Sequence, residues 1–331
     1  MKRGSLRRTM LAAGLSVLLA APATANDSEA AIGIGGLTLV RSQAIRLDTQ
    51  ALFISRDQVR VEYRFTNTSD RDIETLVAFP LPDIVLSPVA RAPDFAADLD
   101  FRTVVEGQPA QLQLVQRASF RGQDITARLQ RLNLSLLARG DEFSAAVNRL
   151  PADARAALVR EEMLLDGGTD GRMQLWDALW TVHTTVTRRQ TFPAARSIRV
   201  EHSYRPVVGG RIGGALAPAL RGTPEFREQQ QRQCIEDGFL AALDRRLAGR
   251  GGDPDYAEVW LQYLLRPGAN WAGPIGEFRL VVDKGDPRSI VSFCGTGVRR
   301  LDDRRFEVRY RNFVPDRDLD ILIIDFVAPP R

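Results

Sequence analysis

From Gln58 the chain reads QVRVEYRFT, in which Val59, Val61, Tyr63 and Phe65 alternate with Arg60, Glu62 and Arg64. A strict period of two fits an extended strand with one face in a core and the other in water. A helix would scatter the same apolar residues around its circumference. The next apolar positions, Ile73, Val77 and Phe79, are again odd-numbered. Pairing Phe65 with Ile73, Tyr63 with Thr75, Val61 with Val77 and Val59 with Phe79 places both sets on one face, and predicts a hairpin with Asn67 to Arg71 as its polar loop. Pro80 and Pro82 lack the amide hydrogens a ladder uses, so pairing is expected to stop there or to lie at an edge.

Further strands are predicted over 99–106, 110–120, 179–188, 197–205, 259–265, 278–283, 289–293, 306–310 and 321–327. Many short strands broken by Gly and Pro turns predict a mainly β chain with helical insertions, its antiparallel β-sandwich-like sheets forming two sandwich parts. One insertion is expected over 124–165, opening at Asp124-Ile125-Thr126 and restarting after Pro151. Another is expected over 224–248, where Ile235, Phe239, Leu243 and Leu247 make a helical stripe to lie on a sheet. The Gly-rich connection 209–222 is the expected boundary between an N-terminal β-sandwich, 26–208, and a C-terminal part, 209–331.

The first 25 residues carry Lys2, Arg3, Arg7 and Arg8, then an apolar run from Met10 to Ala21, then Ala23-Thr24-Ala25. This is the pattern of a secretory signal peptide cleaved after Ala25, with the general secretory route preferred over the twin-arginine one. The expected location is periplasmic or secreted, with no transmembrane segment in the mature chain. The whole sequence has 45 basic and 41 acidic residues; removing the four basic and no acidic residues of the signal leaves 41 against 41. That balance offers no basic footprint for nucleic acid. Lys284 is the one lysine left after cleavage. Two cysteines, Cys234 and Cys294, are expected to form a disulfide in an oxidising compartment.

His183 and His202 are the only histidines, on strands expected to be neighbours. Matching the apolar faces sets Val182 near His202 and turns His183 to the other side, which speaks against a shared metal. No GxSxG, HExxH, GxxxxGK[ST] or strand-to-helix GxGxxG occurs. Asp70 and Asp72, or Asp316, Asp318 and Asp320, could offer oxygens to calcium, but interleaved Arg71 and Arg317 dilute the charge and the EF-hand spacing is missing. In PGANWAGP, Asn270 and Trp271 form the candidate recognition loop, where the indole could stack on a sugar or cap the core.

The stretches NDSEAAIGIGGLTL, VEYRFTNTSDRDIETLVAFPLPDI and YLLRPGANWAGPIGEFRLVVDKGDPRSIVSFCG, with RDLDILI near the end, together resemble the exported bacterial family known as domain of unknown function 4424. The resemblance implies an exported, sandwich-like protein and supplies no catalytic residues. The 59–82 region, with FRTVVEGQPAQ and Arg117-Ala118, is also similar to the vault and inter-alpha-trypsin type of β-sandwich module, which implies partner binding. The metal-binding DxSxS of an adhesion-type domain does not follow it. The expectation is a non-catalytic protein-binding or envelope-structural module that needs no cofactor. Its partner would be another exported or envelope protein, with any small-molecule ligand left open. The alternatives are a metal-independent hydrolase of an envelope polymer, recognisable by a cleft with paired carboxylates, and glycan binding through the Trp271 loop.

Overall fold

The computed structural model describes residues 28–33, 36–88, 98–138, 140–214, 216–248 and 256–326. The expected signal segment and Val327 lie outside them. The described strands fall into four sheets. The largest has eight strands in the spatial order Arg299–Arg300, Arg305–Phe313, Ile275–Asp283, Ile45–Ile54, Val59–Asn67, Ser197–Tyr204, Arg102–Val105 and Gln108–Pro109. A seven-stranded sheet runs Gln123–Asp124, Gln113–Phe120, Thr181–Phe192, Ile73–Pro80, Ser28–Gly33 and Gly36–Val40, with Ile84–Val85 also paired to Thr181–Phe192. A four-stranded sheet runs Gly209–Ile212, Tyr256–Tyr263, Leu319–Phe326 and Ile290–Phe293, and Leu164–Thr169 pairs with Gln174–Ala178.

The long sheet is backed by the other two, and one buried cluster joins all three. Toward one end, Phe79 of the seven-stranded sheet meets His202 of the long sheet, with ring centroids 5.1 Å apart. Toward the other, Ile321 and Ile323 of the four-stranded sheet share the cluster with Phe278 and Leu280. Tyr263 bridges the parts: its hydroxyl lies 3.1 Å from that of Tyr63, and its ring contacts Phe79. Along Leu319–Phe326 both faces are buried, because Leu322 and Ile324 lie in a second cluster under two helices, Pro224–Gln233 and Asp237–Leu247. Each fully buried Leu, Ile or Phe stabilises such a core by roughly 1.5–3 kcal/mol.

The antiparallel β architecture agrees with the alternation, but four details differ. Val59–Asn67 and Ile73–Pro80 are not a hairpin. The first pairs with Ile45–Ile54 and Ser197–Tyr204 in the long sheet, the second with Thr181–Phe192 and Ser28–Gly33 in the facing one. The 68–72 segment is therefore an arch between layers, and the two apolar sets meet across the core instead of side by side. Asn67 fixes the arch by donating from Nδ2 to the carbonyls of Arg71 (2.8 Å) and Phe192 (2.9 Å) while its Oδ1 accepts from Ser69.

Thr181–Phe192 and Ser197–Tyr204 likewise lie in opposite sheets, so the turn after Phe192 also crosses between layers. The strand Ile45–Ile54 was not anticipated. A bulge between Leu47 and Thr49 breaks its period, and its inward positions pass from Ile45 and Leu47 to Gln50, Leu52 and Ile54, with a glutamine in the core. Finally, the 224–248 stripe is two helices, broken at Cys234, which sits at φ 48 in the left-handed region. The long sheet takes strands from both sides of the 209–222 connection; Ile275–Asp283 pairs in parallel with Ile45–Ile54.

Candidate functional site

The strand Thr181–Phe192 outlasts one of its neighbours. Its pairing with Gln113–Phe120 runs from Thr181 opposite Ser119 to Thr187 opposite Gln113. On the other edge, pairing with Ile73–Pro80 continues to Phe192 opposite Ile73. The chain before Gln113 departs to the long sheet, where Gln108–Pro109 pairs with Arg102–Val105. That divergence opens a groove of about 940 Å³ lined by Leu76, Val105, residues 108–113 and residues 188–190.

The ladder fixes which backbone groups face this groove. Leu81 N donates to Thr184 O at 2.8 Å, in register with Thr185 opposite Pro80. Even-numbered residues of Thr181–Phe192 therefore bond toward Ile73–Pro80, and odd-numbered ones toward the other edge. Past Thr187 that edge is open beside the groove, so Arg189 N–H and C=O point into it, and Thr191 N–H faces the same edge just beyond the lining residues. The Thr191 carbonyl accepts from Gln190 Nε2 at 2.8 Å. Arg188 and Gln190 are buried, whereas Arg189 is exposed and stands 3.6 Å from Glu74. No carboxylate occurs among the described lining residues.

A second arrangement stands on the outer face of the same sheet. Between the pairs Thr185–Pro80 and Val182–Ile84, one strand advances three residues and the other four. The extra residue lies between Leu81, still bonded to Thr184, and Ile84, and such a bulge re-aims the side chains that follow it. Phe79 is buried before it, Ile84 and Leu86 after it, so Asp83 turns outward beside His183. Asp83 Oδ1 lies 2.7 Å from His183 Nδ1, and Ser119 Oγ lies 2.8 Å from His183 Nε2. His183 is one-fifth exposed and Asp83 more so. His202, by contrast, is buried among Tyr63, Phe79 and Phe101, with its Nδ1 2.8 Å from Thr103 Oγ1.

The candidate recognition loop requires a correction. Trp271 is fully buried, with its ring centroid 4.7 Å from that of Phe65 and 6.0 Å from that of Phe192. Its neighbours are tied to the N-terminal part, because Asn270 O accepts from Ser42 N at 2.7 Å and Ala272 N donates to Ile45 O at 2.8 Å. An indole enclosed in this way cannot stack on a glycan. Three of the five candidate calcium ligands are engaged elsewhere: Asp72 accepts from Ala194 N, Asp318 receives Arg266, and Asp320 takes Gln262. Cys234 and Cys294 are joined in a disulfide. Lys284 is buried and donates to the carbonyls of Pro287 and Ser289.

Burial pushes two carboxyls, Glu258 and Asp320, above their ordinary range, and neither lines the groove. Glu307 goes the other way. Its side chain is 2 % exposed and receives Arg309 (3.0 Å), Arg279 (2.7 Å) and Arg299 (2.5 Å). These bonds, Arg309 first, outweigh desolvation and hold the carboxyl down at about 2. A depressed carboxyl stabilises the fold fully above its unfolded value and loses that contribution as pH falls through its folded one. Glu307→Gln should therefore cost roughly 2 kcal/mol at pH 7, because its arginines are partly solvated. In paired urea titrations the difference should shrink as pH falls from 4.5 toward 2.

Sequence reasoning singled out His183 but neither Asp83 nor Ser119. The available signal was the change of apolar parity, from Val77 and Phe79 to Ile84 and Leu86, across the two prolines. Among the described residues no helix is long and apolar enough to cross a membrane. No curated protein matches the chain. A solved structure from Legionella pneumophila, named a "putative nutrient binding protein", is similar at 14% identity and a TM-score of 0.45, over 91% of this chain and 70% of that one. The family model described as Domain of unknown function (DUF4424) matches residues 25–322, and the chain belongs to that family.

Proposed function

We propose that this is an exported binding module that accepts an extended polypeptide segment as an added strand in the groove beside Arg188–Phe192. The observation that carries the reading is the strand that outlasts its partner, with odd-numbered main-chain groups left on the edge beside a groove of about 940 Å³. Main-chain groups at a strand edge are matched by another chain's main-chain groups, and side pockets then add selectivity. The lining is apolar and amide-rich, and Arg189 already stands beside Glu74, which favours a neutral segment. Five residues of edge span roughly 16 Å. The basic, then apolar start of the sequence supports export, and the disulfide is in keeping with an oxidising compartment.

The test is selection from a displayed library of ten-residue peptides, followed by titration of the winners against the intact chain and against Thr191→Pro. Proline removes the amide hydrogen on the open edge and leaves the bonded edge alone. Binding should weaken by about tenfold or more, about 1.4 kcal/mol, with an unchanged far-ultraviolet spectrum. Recovery of no binder, or of binders indifferent to Thr191→Pro, would contradict the proposal.

A further inference from the structure

We infer that Asp83, His183 and Ser119 form a serine acyl-transfer centre on the outer face of the seven-stranded sheet, acting on carboxylic esters presented at an open surface. This activity goes beyond strand binding in the groove, which begins about 15 Å away along the same strand. His183 and Ser119 come from adjacent strands, and Asp83 from the irregular stretch between Ile73–Pro80 and Ile84–Val85. The bulge after Pro80 brings Asp83 to one side of His183, and Ser119 lies on the other.

A carboxylate can only accept, so His183 Nδ1 carries the hydrogen toward Asp83 at 2.7 Å. That leaves Nε2 as the acceptor for the Ser119 hydroxyl at 2.8 Å. Nucleophile, base and orienting carboxylate are thus connected in the order that hydroxyl activation requires, whatever their order along the chain. Asp83 is a positioning residue; Ser119 and His183 are the groups that meet the substrate.

The step balances with water as the only co-reactant. Ser119 Oγ bonds to the ester carbonyl carbon as its proton passes to His183 Nε2. The tetrahedral oxyanion collapses, the carbon–oxygen bond to the alcohol breaks, and His183 returns the proton to the departing oxygen. Water then repeats the sequence on acyl-Ser119, releasing the acid.

Ser119 is opposite Thr181 in a pair whose amides serve the ladder, so its own N–H is not offered to the oxyanion. Across the ladder on this face stand Thr181, opposite Ser119, and Arg117, opposite His183, the latter also 4.0 Å from Asp124. An open, polar face suits small acyl groups with stable leaving alcohols or phenols, and esters displayed on a larger chain.

The experiment treats the intact chain with a fluorophosphonate probe, maps the adduct by mass spectrometry, and follows p-nitrophenyl acetate hydrolysis in parallel. The adduct should fall on Ser119. Labelling and hydrolysis should drop by about 100-fold or more in His183→Gln, and hydrolysis likewise in Ser119→Ala, all at an unchanged melting temperature. Asp83→Asn should lower kcat by about tenfold or more while leaving KM in place. A merely structural carboxylate would not produce that split. Absence of an adduct on Ser119, or an adduct formed equally fast in His183→Gln, would overturn the assignment. Groove variants such as Thr191→Pro should leave this chemistry untouched, so the two proposals fail separately.

Discussion

Trp271→Ala should cost about 3–5 kcal/mol of folding free energy, the range for removing a large aromatic side chain from a packed core. The indole has no exposed surface, and it fills the space between Phe65 of the long sheet and Phe192 of the facing one. The surrounding backbone is bonded to Ser42 and Ile45, so the residue fastens a late segment of the chain to an early one. Denaturant unfolding is the measurement. A lowered midpoint is expected, with Trp271→Phe recovering part of the loss because a smaller ring still occupies part of the space. If Trp271 were a surface recognition residue, alanine would shift stability by no more than about 0.5 kcal/mol.

Removing the disulfide with Cys234→Ser and Cys294→Ser should be comparably costly. The bridge joins residues 60 apart in sequence, and closing a loop of that length stabilises by about 4 kcal/mol on the chain-entropy model. It also sits at a mechanical junction. Cys234 caps the helix Pro224–Gln233 in the left-handed region, and Ser292 Oγ donates to the carbonyls of Gln233 (2.9 Å) and Cys234 (3.0 Å). Loss of the bridge therefore removes the covalent tie between the helix pair and the end of the edge strand Ile290–Phe293. Thermal unfolding with and without reductant should show the drop in the native chain and none in the double variant. Equal melting curves for the native chain in both conditions would contradict it, as would two titratable thiols in the oxidised, denatured protein.

The sequence revealed most of the strands, because alternation is a local signal with a local cause. Val59, Val61, Tyr63 and Phe65 do face the core. It did not reveal which strands are neighbours. An apolar face meeting its partner across a core and one lying beside it in a sheet produce the same alternation, so the 59–80 region reads as a hairpin and folds as an arch. Ile45–Ile54 escaped because its bulge resets the period and buries Gln50. The parallel pairing of Ile275–Asp283 with Ile45–Ile54 joins segments more than 200 residues apart, and no local pattern encodes that.

The candidate sites were less legible still. The groove exists because one strand ends before its neighbour does, a property of pairing that composition does not carry. Asp83, His183 and Ser119 are spread over a hundred residues, and only the bulge at the two prolines turns Asp83 to the right face. In PGANWAGP, the same sequence suited an exposed loop tip and a core plug. The backbone bonds to Ser42 and Ile45 decide between them.

The most direct test of the proposed function is amide exchange at four backbone positions, followed by nuclear magnetic resonance with and without the tightest peptide from the ten-residue library. Strand addition predicts slowed exchange at Arg189 and Thr191, whose amides face the open edge, with little change at Arg188 and Gln190, whose amides already bond to the neighbouring strand. Protection spread evenly over the four, or confined to another surface, would contradict it.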